Sequence, residues 1–156
     1  ARANADALLA PDRRAWLEFR QGSLTAPLDE PVDLLLANLP YLTPGQIAEN
    51  PALDAEPRLA LDGGPDGLAL IRETIADLPR ILSPGGAAAF EVDPSQAATV
   101  RALLQERFAE ADTAILPDLA QNTRHVLLSR RAPVDNAGGS RAPRGPASSR
   151  RGPDPA

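Results

Sequence analysis

The tetrapeptide Asn38-Leu39-Pro40-Tyr41 follows directly on the apolar run Val32-Asp33-Leu34-Leu35-Leu36-Ala37. An Asn side chain offers one carbonyl oxygen, the next main-chain carbonyl a second, and a following aromatic ring a flat wall. Such a set could accept both N–H groups of an amide nitrogen. That nitrogen's lone pair is delocalised into its carbonyl, so it reacts only when held and polarised. The same four residues also make an ordinary turn, in which Asn tolerates unusual backbone angles, Pro fixes φ and Tyr covers an edge. Taken alone, the tetrapeptide does not separate the two readings.

Other chemistry-bearing residues narrow the field. Glu56 and Asp62 could form a carboxylate pair for acid/base work, but no histidine or nucleophile accompanies them, and shaping a pocket is the expected role. There is no Cys and a single histidine, His125, so neither a disulfide framework nor a zinc site is expected, and His125 is read as structural. Gly63-Gly64 and Gly85-Gly86 do not directly follow a strand and open a helix, so neither is a dinucleotide loop. Trp16 and Phe19 are expected in the core rather than as stacking platforms.

The elements that must position these residues alternate. A helix is expected to end near Pro11, followed by a half-buried strand at Ala15-Trp16-Leu17-Glu18-Phe19-Arg20, where apolar and polar residues alternate. The denser run at Val32 to Ala37 predicts a strand covered on both faces, ending at Asn38. Helical spacing over Leu68 to Leu78 predicts a helix with Asp66 capping its start. Ser83-Pro84-Gly85-Gly86 reads as a turn and Ala87 to Val92 as a buried strand, with a helix from Asp93 or Ser95 to about Phe108. Strands near Thr113 to Leu116 and His125 to Ser129 can pair antiparallel. The alternation predicts an α/β sheet, and in such sheets ligands sit beyond the carboxyl ends of strands, where Asn38 falls.

Composition excludes several classes. The 156 residues carry a net charge of −5, against a general nucleic-acid binder, and every basic residue is Arg. No run of about 18 apolar residues and no charged start before an apolar stretch is present, so neither a membrane span nor a secretory signal is visible and the cytoplasm is expected. The chain begins at Ala1 in what reads as helix interior, so a truncated chain is expected. Residues 132–156, rich in Arg, Pro, Gly and Ser, have little to bury and are expected to be a disordered tail behind a domain at 1–131.

With its surroundings included, the turn resembles that of the release factor glutamine methyltransferases, which carry Asn-Pro-Pro-Tyr after this strand. The resemblance continues through Glu56-Pro57-Arg58-Leu59-Ala60-Leu61-Asp62-Gly63-Gly64-Pro65-Asp66-Gly67-Leu68, then Leu82-Ser83-Pro84-Gly85-Gly86, Glu91, and Asp118-Leu119 with Arg124. It covers nearly all of residues 1–131. The stretch from Glu56 is the most specific part, because related enzymes acting on nucleic-acid bases share the first motif but not usually this one. The resemblance implies an α/β, Rossmann-like class I methyltransferase sheet, mostly parallel with an antiparallel C-terminal strand. It implies S-adenosyl-L-methionine as cofactor and methylation of the Gly-Gly-Gln glutamine amide of peptide chain release factors, with no direct nucleic acid, no membrane and a monomeric state. Asn38, Leu39, Pro40 and Tyr41 would be catalytic and, with Glu56, substrate-binding, while Ser23, Leu24 and Asn38 would meet the cofactor.

The chain departs from the family at three places. Leu39 stands where Pro is usual; if the second acceptor is a main-chain carbonyl, the change costs only rigidity, roughly 0.4 to 1 kcal/mol. Ser23 stands where an acidic residue is usual, which implies weaker cofactor binding. The Gly-rich cofactor loop and the strand ending in a ribose-binding acid are not in this sequence, so the sheet is expected to lack its first two strands. An isolated chain with that open edge is expected to be unstable or aggregation-prone. The alternatives are an amino-group methyltransferase of nucleic-acid bases, and a non-catalytic fragment.

Overall fold

A computed structural model of the chain describes residues 1–130; the expected tail, and the domain limit at 131, lie outside the described residues. The best-defined helix is α4 (Ala69–Ile81), whose inward residues Ile71, Thr74, Ile75, Leu78 and Ile81 recur at the three- and four-residue spacing of one helical face. Its start is fixed from two residues outside. Asp66 accepts the Leu68 N–H at 3.2 Å and holds the Arg72 guanidinium through both carboxylate oxygens, satisfying a main-chain donor that the helix cannot. Helix α5 (Ala97–Arg107) repeats the pattern with Ala97, Val100 and Leu104 buried.

Four strands form one sheet in the order β1-β2-β4-β3, where β1 is Val32–Asn38, β2 Leu82–Glu91, β3 Asp112–Pro117 and β4 Thr123–Ser129. The β1 and β2 strands are parallel, with α4 in the crossover between them, while β4 runs antiparallel to both β2 and β3. The sheet's C-terminal part is therefore the expected antiparallel pair. Parallel pairing among the described strands is confined to β1 and β2.

Helices α4 and α5 lie on one face of the sheet. There Ile71, Ile75, Leu78, Val100 and Leu104 meet Ala88, Phe90 and Val92 of β2 and Val126 and Leu128 of β4, all buried. Each large apolar side chain so buried stabilises the fold by about 1.5–3 kcal/mol. The sheet is anchored there, and the ends of β1 and β2 are held in register up to the pair Asn38 and Glu91.

Several expectations are corrected. Residues Ala15 to Arg20 form no strand: after α2 (Pro11–Arg14) the chain turns and runs on irregularly, with Trp16 75% exposed rather than in a core. Alternation supplies a strand's faces but not its ladder partner, and none is present among the described residues. Phe19 instead lies under the Arg2 guanidinium, 5.3 Å from the ring centre. Strand β1 is covered on one face only: Leu35 and Ala37 pack against the core, while Leu34 and Leu36 are 57% and 73% exposed. Ser83 to Gly86 is not a turn between elements but an irregularity inside β2. Val32 pairs with Leu82 and Leu34 with Ala87, so the intervening residues bulge, with Gly85 at φ +83.

Candidate functional site

Asn38 ends β1, and the chain leaves the sheet through Leu39, Pro40 and Tyr41. This is the carboxyl end of the one parallel pair, where a crevice beside the sheet is expected. These four residues line a concavity of about 290 Å³ together with Glu56 and Leu61. All five residues expected to bind substrate are thus brought to one place, although Glu56 comes from a loop well separated in sequence.

The two candidate acceptors are uncommitted. The Asn38 side chain makes no hydrogen bond to another described residue, and the Leu39 carbonyl accepts none. Tyr41 is held instead. Its hydroxyl donates to Glu91 Oε1 and accepts from Arg124 Nη1, each at 3.4 Å, with Asp118 3.8 Å from Arg124. Burial chiefly, and then the Glu91 charge, push the phenol above its ordinary value, with Arg124 opposing. The ring is therefore a neutral wall, fixed at its polar tip.

The loop beneath the turn is ordered by its own polar residues. Thr43 and Gln46 form a reciprocal cap on the short helix α3 (Pro44–Ala48). Leu42 donates to the Leu61 carbonyl at 3.0 Å and accepts from the Gly63 N–H at 2.8 Å, tying the chain after the turn to residues 61–63. Asp62 accepts from the Gly64 N–H and from Arg58, which hold its carboxyl below the usual range, the main-chain bond contributing most. It is committed to the loop and is not half of an acid/base pair with Glu56. His125 lies in β4 opposite Glu91 and Leu116.

Ser23 and Leu24 are placed elsewhere. Their turn is fastened to α4, where the Thr25 hydroxyl donates to Asp77 and Arg80 donates to the carbonyls of Thr25 and Leu28. They line a depression with Glu73, Asp77 and Arg80 that does not include Asn38. Leu24 has φ +46, a left-handed conformation unusual for a branched apolar residue. Ser23 and Leu24 therefore line a different depression from the one that holds Asn38. Of the charges beside Ser23, Arg80 and Asp77 pair with each other. The described residues alone do not enclose a nucleoside-type cofactor at Asn38.

One residue at this site was not singled out in the sequence: Gln96, which bonds to the Tyr41 carbonyl at 2.9 Å. The signal was present, since Asp93 followed by Gln96 has capping-box spacing.

The sheet, its α4 crossover, the antiparallel C-terminal pair and a polar turn at the end of β1 define a Rossmann-like class I methyltransferase fold. No family model matches the chain. It is 40% identical over 119 residues to the release factor glutamine methyltransferase of Moorella thermoacetica, an alignment covering 75% of this chain and 42% of that protein. It is 40% identical over 101 residues to the ribosomal protein uL3 glutamine methyltransferase of Bradyrhizobium diazoefficiens, covering 64% of this chain and 30% of that protein. A solved protein-(glutamine-N5) methyltransferase (release factor-specific) from Alicyclobacillus acidocaldarius superposes with a TM-score of 0.44 at 23% identity, covering 65% of this chain and 50% of that one. The chain belongs to the release factor glutamine methyltransferase family, and it spans about two fifths of the length of the first-ranked curated relatives it matches. Membership of a methyltransferase family implies a methyl donor. Among the described residues no helix is long and apolar enough to cross a membrane.

Proposed function

We propose that this chain carries the acceptor half of a methyl-transfer site, which positions the side-chain amide nitrogen of the Gly-Gly-Gln glutamine of a peptide chain release factor. S-adenosyl-L-methionine is the proposed donor, its sulfonium supplying an activated methyl group. Asn38 Oδ1 and the Leu39 carbonyl each accept one N–H of the glutamine amide, and Tyr41 walls its flat face. Glu56 borders the same concavity. With both hydrogens held, the nitrogen lone pair is turned toward the side from which the methyl group must arrive. The amide becomes more acidic as the new N–C bond forms, so one N–H proton passes to solvent without a dedicated base.

The observation that carries this reading is that two uncommitted acceptors, Asn38 and Leu39, share one concavity with Tyr41 and Glu56. The names of the relatives support glutamine as the acceptor, and most of the first-ranked ones name a release factor. We further propose the cytoplasm as the compartment and a monomer as the working form. The test is to incubate the protein with S-adenosyl-L-methionine and purified release factor and to map the product by peptide mass. One added methyl group on the Gly-Gly-Gln glutamine is expected. Transfer to ribosomal protein uL3 in preference to release factor, or no transfer to glutamine, overturns the assignment.

A further inference from the structure

We propose that Gln96 is a positioning residue for the acceptor turn: its side-chain amide bolts the main chain at Tyr41 to the loop at Asp66 and so sets where Asn38 and Leu39 aim. This inference rests on the function proposed above. Gln96 is only 8% exposed, and each end of its amide is used. Its nitrogen donates to the Tyr41 carbonyl at 2.9 Å and to the Asp66 carbonyl at 3.3 Å. Its oxygen accepts the Asp93 N–H at 3.2 Å, at the point where β2 hands over to α5. One side chain thereby joins three segments that are far apart in sequence. A buried amide so bonded is expensive to replace, because any group that cannot donate leaves two carbonyls without partners.

The surrounding backbone is shaped to let this contact form. A Cβ on Gly63 would stand 2.6 Å from the Pro40 carbonyl oxygen and 2.8 Å from the Tyr41 Cα. A Cβ on Gly67, which sits at φ +72, would collide with the Tyr41 carbonyl oxygen and the Gln96 side-chain nitrogen. Both glycines therefore permit the loop to close on the turn, and Gly67 also needs the left-handed conformation. The Gly-Gly-x-Asp-Gly stretch acquires a physical purpose in this arrangement: it is the seat of the acceptor turn. Position 39 makes that seat more important, because Leu leaves a φ free that Pro would lock.

The test uses the fact that Tyr41 is the only tyrosine in the chain, so isotope-labelled tyrosine gives one NMR resonance reporting on the turn. Gln96→Glu keeps the oxygen that accepts from Asp93 but sets a carboxylate against two carbonyls. In the folded full chain its Tyr41 resonance should move toward the denatured position, and kcat for glutamine methylation should fall about 100-fold with KM changed much less. Val100→Ala, a truncation in the α5 core, should lower stability while leaving the resonance and kcat of folded protein in place. If Gln96→Glu does not fold, Gly67→Ala pushes on the same carbonyl and should displace the same resonance. A Tyr41 resonance unmoved in the folded variants, with only stability reduced as in Val100→Ala, overturns the proposal and leaves Gln96 as a helix cap. Should the unmodified protein transfer no methyl group to glutamine, the functional reading fails, and the resonance still decides whether Gln96 sets the turn.

Discussion

At the scale of single residues the site depends on hydrogen-bond capacity left unspent. The exposed Asn38 side chain makes no hydrogen bond to another described residue, which is consistent with an acceptor kept for something else. Removing one of a pair of fixed, oriented polar groups at a reacting centre costs about 10²- to 10³-fold in rate. Asn38→Ala should therefore lower kcat for glutamine methylation by about that factor and leave unfolding stability nearly unchanged, since no internal bond is lost. Single-turnover kinetics together with a urea titration check both halves. A large loss of stability would show that Asn38 is a structural turn residue after all, the reading the tetrapeptide alone left open.

At the scale of elements α4 matters most, because it carries the crossover between the two parallel strands. Its anchor is Asp66, whose carboxyl is held at about 2 by Arg72 first and then by the Leu68 N–H, against an ordinary 3.8. A lowered folded-state value means that the unfolded chain takes up its proton first as pH falls. The contribution is thus fully present above about pH 4 and is lost as pH drops toward about 2. Urea midpoints for Asp66→Asn should lie below those of the unmodified chain at neutral pH, and the two series should converge near pH 2. The same helix holds a flaw. The Thr74 hydroxyl is buried without a hydrogen-bond partner among the described residues, and such a group costs about 1–3 kcal/mol. Thr74→Val should raise the unfolding free energy by about 1 kcal/mol in the same titration; an unchanged or lower value would mean that the hydroxyl has a partner after all.

At the scale of the whole molecule the two faces of the sheet are unequal. The helices cover one, while the other presents Leu34 at 57% and Leu36 at 73% exposure on an edge strand. Apolar side chains beside unpaired main-chain groups favour association. Replacing both with Thr, which keeps β propensity, should reduce self-association of this chain in sedimentation velocity and lower its binding of a hydrophobic dye. Equal sedimentation of both forms would show that this face is harmless. The sequence pattern at β1 could not reveal the imbalance: an apolar run states what a strand is able to bury, and only the packing of other segments states what it does bury.

What the sequence determined by itself was whatever is encoded locally or in contiguous motifs. The helical spacing of Leu68 to Leu78, the antiparallel pair at the C-terminal end, and the amide at the end of β1 were all legible, because period and turn chemistry are properties of neighbouring residues. The resemblance carried by Asn38 to Tyr41 and by Glu56 to Leu68 added the family. Tertiary structure alone decided the rest. It put Ser23 and Leu24 in a different depression from Asn38, left Ala15 to Arg20 without a partner strand among the described residues, and gathered Glu56, Glu91 and Arg124 around Tyr41. It also turned Gln96, visible in sequence only as a cap, into a bond between three distant segments. Those outcomes depend on which surfaces meet, and contacts between residues far apart in the chain leave no periodic trace in its order.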